Sequence, residues 1–413
     1  MSPTPPGEPS RQPAGFDRTD PGFLADPYPT WAWLRDRDPL HVTGGGTYLV
    51  TRHADAVALL HDPRCGRAVP ERLVRRVAGD GATLAAFRAG VLNREDEAHR
   101  RIRKLLRPPF AARPVAARRA RVVALVDRLL ELAGDRFDLI GALAGELPIR
   151  LVSDLLGLPA ADAPGLRREI GALIDASTMF PTPAALAGSD QANEYFAGYF
   201  RRLVNRPAGP GGGLLGQLAR AQREGQLSAG ELAANATLLL FAGHETTTNS
   251  LGNGLLALLE RPAALAALRR QPALLPTAVD ELLRFDSPVQ TTIRWTRAPV
   301  ELTTGRLAGR RFVEVSLAAA NRDPRAFHRP DQLVLDRHPG RQLAFGSGLH
   351  RCLGLHLARL VIEVVLERLL HRYAGIELAG PPVRLSSLWN RGLASLPLRV
   401  RPAGPGTGST RAA

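Results

Sequence analysis

Apolar residues at Leu353, Leu357, Leu360, Val361 and Val364 recur at the spacing of one helix face. They predict an amphipathic helix that starts just after residue 352. A longer helical pattern opens at Ser228-Ala229-Gly230-Glu231, which has the spacing of a capping box. It runs to about Glu260, where Arg261-Pro262 should stop it, because the residue before proline is pushed out of the helical region. About 30 residues at a rise of about 1.5 Å give roughly 45 Å, enough to cross the molecule. Strand signals are few and short. Residues 40–42 and 47–50 flank Gly44-Gly45-Gly46 and predict a hairpin, and 300–303 and 312–317 predict a second group of strands. Elsewhere Pro and Gly separate helical segments, with 207–213 as a flexible connection. No repeat and no interdomain linker interrupts the pattern. The expectation is one large, mainly α domain with minor β sheets over 16–402, between disordered ends at 1–15 and 403–413.

Composition narrows the class. The chain has 413 residues, 45% of them apolar, enough to bury a large core, although length alone suggests two or three domains. No uninterrupted apolar run of about 18 residues occurs, so no membrane span is expected. Residues 1–15 are rich in Pro, Ser and Gly, and read as a lead-in rather than a signal peptide. Two cysteines, Cys65 and Cys352, make no disulfide framework and point to a reducing compartment, the cytoplasm. The net charge is 54 − 39 = +15, which raises nucleic-acid binding. Against that reading, Lys104 is the only lysine and the arginines are spread along the chain. A basic docking face for an acidic redox protein fits the excess better.

Three stretches carry chemistry. The first is Phe345-Gly346-Ser347-Gly348-Leu349-His350-Arg351-Cys352-Leu353-Gly354. Its glycines let the chain turn tightly around the thiol, and Cys352 precedes a helix whose N-terminal dipole and amides stabilise a thiolate. A thiolate ligand to haem iron has those needs. The plainer alternative, a buried structural cysteine, suits Cys65. The second stretch, Ala242-Gly243-His244-Glu245-Thr246-Thr247, puts Gly and threonines inside the long helix. That is locally unfavourable and marks a functional site. Lack of a side chain at Gly243 would admit a flat ligand, and Thr246 could bond back to the Ala242 carbonyl. His244 reads as packing or a solvent contact. The third, Glu281-Leu282-Leu283-Arg284, places opposite charges on one helix face.

The first run resembles the haem-binding signature of the cytochrome P-450 family, Phe-x-x-Gly-x-x-x-Cys-x-Gly, with every fixed position present. The second resembles that family's Ala-Gly-x-Glu-Thr motif and the third its Glu-x-x-Arg motif, in the family's order. The resemblance covers about residues 20–402. It implies the cytochrome P-450 fold, a single haem-binding domain, with Cys352 as the metal ligand of haem b. Phe345, Gly346, His350 and Gly354 would frame the haem, as would Ala242 and Gly243. His99 and Arg103, four apart, would join Arg294 and His350 in neutralising its propionates. Glu245 and Thr246 would organise water and relay protons for O2 activation. Glu281, Arg284 and Arg337 would form a buried network that shapes the cysteine loop, with 321–330 supplying its surroundings.

The same resemblance implies a monooxygenase of the bacterial type without a membrane anchor, acting as a monomer. NAD(P)H-derived electrons would arrive through an acidic ferredoxin and its reductase. Arg100, Arg101, Arg107, Arg351 and Arg359 would form the docking face, diluted by Glu95, Asp96 and Glu97 if these share it. The pocket would draw on 82–93, 166–202, 238–247, 289–292 and 389–393, with Leu238, Phe241, Ala242, Val289, Thr291, Thr292 and Leu393 against the substrate. Largely apolar linings suit a medium-sized, weakly polar polyketide, macrolide or terpenoid intermediate of secondary metabolism such as antibiotic biosynthesis. A peroxide-using haem enzyme and a non-catalytic haem-binding partner are the alternatives.

Overall fold

The computed structural model describes residues 17–178, 181–206, 212–338, 340–387 and 389–404. The expected lead-in at 1–15, most of the connection at 207–213 and most of the tail after 403 lie outside the described residues. Six helices build the site and are numbered here in chain order: α1 (His53–His61), α2 (Glu97–Leu106), α3 (Leu147–Leu156), α4 (Ala229–Leu259), α5 (Leu275–Phe285) and α6 (Leu355–Arg372). Further helices pack around them.

The capping box closes in both directions. Ser228 Oγ accepts the Glu231 N–H at 3.0 Å, and Glu231 accepts the Ser228 N–H at 2.9 Å. With its first turn satisfied, α4 runs 31 residues, about 46 Å at about 1.5 Å each. Its C-terminal half is buried almost all round. Leu251, Leu255, Leu256 and Leu258 join Leu282 and Leu283 of α5 and Leu360, Val361 and Val364 of α6 in one core. Each such fully buried leucine contributes about 1.5–3 kcal/mol. Among the described residues, no single helix is long and apolar enough to cross a membrane.

The predicted hairpin is present as β1 (Leu40–Val42) and β2 (Tyr48–Val50), paired Leu40↔Val50 to Val42↔Tyr48. It belongs to a five-stranded sheet with β3 (Cys65–Gly66), β4 (Thr291–Thr296) and β5 (Phe312–Ser316), in the order β1-β2-β5-β4-β3. The β2–β5 pair is parallel and the others antiparallel. The expected second group of strands therefore splits. Phe312–Ser316 enters this sheet, while Val300–Leu302 pairs locally with Gly305–Leu307. Unforeseen is a three-stranded sheet of Arg136–Asp138, Tyr373–Leu378 and Pro397–Pro402, assembled from distant parts of the chain.

Candidate active site

The cysteine loop is held by its own backbone and by two neighbours. The Gly346 N–H bonds the Leu343 carbonyl at 2.8 Å, and the Cys352 N–H bonds the Phe345 carbonyl at 2.9 Å. Gly346 and Gly348 have φ of 63° and 71°, a region that side chains with a Cβ avoid. At Gly348 a Cβ would also collide with the Leu60 carbonyl at the end of α1. The Gly354 carbonyl then accepts the Ala358 N–H at 2.9 Å and α6 begins. Cys352 is exposed as a residue, although protein packs around its sulfur. Burial by the surrounding protein raises the thiol pKa, opposed by the Gly354 N–H and the charges of Arg103 and Arg351. Cys65 differs: it is buried in β3 and its thiol is pushed up to about 11.

Beneath the loop, Glu281 and Arg284 are both almost fully buried and pair through two bonds of 2.7 and 2.8 Å. Arg337 Nε adds a third at 2.9 Å to Glu281, whose other oxygen accepts the Val334 N–H. Arg284 also donates to the carbonyls of Asn321 and Pro330. This is the expected network, fully bonded, so its charges are compensated where they are buried.

On α4 the unburied positions are Leu238, Leu239 and 241–246, between the buried residues 235–237 and 247–258. Ala242 is the exposed one. Thr246 Oγ1 donates to the Ala242 carbonyl at 2.8 Å, as expected. Burial raises the Glu245 pKa above the ordinary carboxyl value, and the amides of Asn390 and Asn249 partly offset it. Burial holds His244 neutral, its pKa down to about 4. At Gly243 a Cβ would lie 3.0 Å from Val152 Cγ2, so the missing side chain lets α3 approach α4 closely.

A third group is cationic. His99 is buried with neither ring nitrogen bonded, and its ring centre lies 5.1 Å from that of His350. Arg294, also buried, donates to Thr292 Oγ1 at 3.1 Å. Arg67 donates to the same hydroxyl at 3.3 Å. Glu95 is the carboxylate here, bonded by the Arg67 N–H at 2.7 Å, paired with Arg297, and 3.3 Å from His350 Nε2. Arg103 turns elsewhere, onto the Arg351 carbonyl at 2.5 Å. Arg67 and the inward Glu95 were missed from sequence; only their three-dimensional neighbours single them out.

The family follows from comparison. The Cytochrome P450 family profile matches residues 214–384. The monooxygenase PikC of Streptomyces venezuelae is 37% identical over 394 residues, covering 92% of each chain. Pentalenic acid synthase of Streptomyces avermitilis is 35% identical over 392 residues, covering 92% of this chain and 94% of that one. The chain belongs to the cytochrome P450 family. The crystal structure of CalO2, 34% identical, superposes with a TM-score of 0.89 over 94% of this P450 and 100% of that chain. The chain is therefore a P450 monooxygenase, and membership implies haem iron. The groups described fit one: a free cysteine at a helix head, buried imidazole nitrogens without a partner among the described residues, and the inward guanidinium groups of Arg67 and Arg294 meeting on one hydroxyl.

Two sets of expectations need correction in this P450. Leu393 is buried in the core, packed toward Gly252, where a Cβ would lie 3.4 Å from Leu393 Cδ1. Thr291 is buried too, its hydroxyl without a partner, whereas Leu238, Phe241, Val289 and Thr292 are partly open. On the expected docking face, Arg101 pairs with Glu231 at 2.7 Å, Arg359 with Asp280 at 2.7 Å and Arg100 with Glu97 at 2.5 Å. Glu95 points inward and dilutes nothing there. Lys104, Arg107 and Arg351 remain exposed, beside exposed Leu349.

Proposed function

We propose that Cys352 is the protein ligand to the iron of haem b, in one domain spanning 16–402, and that this P450 monooxygenase inserts one atom of O2 into a medium-sized, weakly polar secondary metabolite. The observation that carries the reading is the placement of Cys352, exposed at the head of α6 in a loop fixed by Leu60, Leu343 and Phe345. Haem bound there supplies O2 activation, which thiolate donation assists. Burial raises the thiol pKa, and the Gly354 N–H with Arg103 and Arg351 partly offsets it toward the charged sulfur that this requires.

His99, Arg294 and His350 are the residues to hold the propionates. The Thr246 hydroxyl gives its proton to the Ala242 carbonyl, so its oxygen is free to accept one from water. Glu245, with its raised pKa, retains a proton more readily than an open carboxylate and can pass it on. The pair favours O2 over peroxide as oxidant. Leu238, Phe241, Ala242, Val289 and Thr292 orient the substrate and exclude water. Lys104, Arg107 and Arg351 are the cations to meet an acidic ferredoxin, whose reductase draws on NAD(P)H. Monomeric action in the cytoplasm fits two unpaired cysteines. The test is product formation from candidate polyketides, macrolides and terpenoids with ferredoxin, reductase and NAD(P)H. Product must depend on O2 and carry its label; peroxide alone supporting equal turnover would contradict the reading.

A further inference from the structure

We propose that Arg67 is a carboxylate-binding residue of the haem pocket, holding a haem propionate together with Arg294 across their shared acceptor Thr292. The inference rests on the haem-thiolate reading above and adds a residue outside that family's signature segments.

Position comes first. β3 pairs with β4 at Cys65↔Thr296 and Gly66↔Trp295, which carries residue 67 alongside the strand that bears Thr292 and Arg294. Glu95 fixes the backbone there by accepting the Arg67 N–H at 2.7 Å. Gly66 is required for that contact, since a Cβ would collide with the Glu95 carboxylate. From this anchor the guanidinium reaches Thr292 Oγ1 at 3.3 Å, where Arg294 arrives at 3.1 Å. A hydroxyl oxygen receiving two cations neutralises neither. Arg67 Nε is buried without a partner among the described residues.

Charge gives the second argument. Arg67 and Arg294 set two inward guanidinium groups beside one carboxylate among the described residues, Glu95, which is already paired with the exposed Arg297. A haem propionate would supply the carboxylate these two guanidinium groups lack, and buried charge is tolerated only when paired. Arg103, the other arginine expected there, donates to the Arg351 carbonyl.

The test measures haem release into apomyoglobin from holoenzyme loaded with ordinary haem or with haem dimethyl ester, whose propionates carry no charge. Arg67→Gln should release ordinary haem about tenfold faster or more, as expected for loss of a charge-assisted pair. Arg67→Lys should fall between, and Arg72→Gln, on an exposed neighbour, should match the parent. With the diester, parent and Arg67→Gln should release at the same rate. Parental release of ordinary haem from Arg67→Gln would overturn the proposal. So would a difference that survives esterification, which would mean that Arg67 acts through the fold. Weaker binding of carboxylic-acid ligands with unchanged haem release would also overturn it, assigning the guanidinium to the ligand's carboxylate. A parent without the thiolate-type carbon monoxide band would instead sink the haem-thiolate reading itself.

Discussion

Arg284 donates to the backbone carbonyl of Asn321 at 2.8 Å, and Asn321 in turn accepts the Leu343 N–H on its side chain at 2.6 Å. Leu343 then closes the turn at Gly346. The buried ion pair on α5 is thereby wired to the cysteine loop through one asparagine. Glu281→Gln or Arg284→Ala leaves a buried charge without its partner, a loss of about 3–5 kcal/mol, against a typical folding free energy of about 5–15 kcal/mol. Either variant should yield little haem-loaded protein, read as the haem-to-protein absorbance ratio after purification. Parental yield would reduce the pair to an ordinary contact.

Thr246→Ala removes the hydroxyl but leaves the helix and pocket in place. Substrate should bind nearly as in the parent, while NAD(P)H consumption is diverted to peroxide. Product formed per NAD(P)H consumed decides the matter; equal yields in parent and variant would remove Thr246 from the proton path.

Glu95 ties the cationic group together and is sensitive to acid. Burial would raise its pKa, but His350, the Arg67 N–H and Arg297 outweigh that and hold it at about 2, below the ordinary 4.5. A depressed carboxyl stabilises the fold above its unfolded value and loses that contribution as pH falls. The stability gap between parent and Glu95→Gln should therefore be full near pH 7 and shrink from about pH 4.5 toward 2. Denaturation midpoints across that range would expose an error if the gap stayed constant.

The elements legible in the sequence are those fixed by local chemistry. Ser228 and Glu231 announce the start of α4 because both halves of their contact lie within one turn. Gly346 and Gly348 announce the cysteine loop because only glycine takes those angles readily. Strand β4 was not legible: Thr-Thr-Ile-Arg-Trp-Thr shows no clean alternation, and its partners lie elsewhere in the chain. Arg67 and Glu95 look like surface charges until the fold turns them inward. That Gly243 also lets Val152 approach is not legible either, because the two helices are far apart in the chain. Charge along α2 and at the start of α6 overstated the docking face because Glu231 and Asp280, far off in sequence, take up Arg101 and Arg359.

What survives of that face should govern electron delivery. Arg107→Glu should raise the apparent KM for an acidic ferredoxin several-fold, with little change in the substrate-induced spectral shift. Added salt should slow association in the parent, since screening at about 0.15 M shortens charge interactions to about 8 Å. Ferredoxin dependence that ignores both salt and the reversal would place docking on an apolar surface or another face.

The most direct measurement is the carbon monoxide difference spectrum of the reduced protein for Cys352→Ser and Cys65→Ser beside the parent. A serine hydroxyl is a far poorer donor to iron than a thiolate, so Cys352→Ser should lose the thiolate-type band. Cys65→Ser, altering a buried thiol pushed up to about 11, should keep that band. The reverse pattern, or a band that survives in Cys352→Ser, would contradict the assignment of Cys352 as the haem ligand.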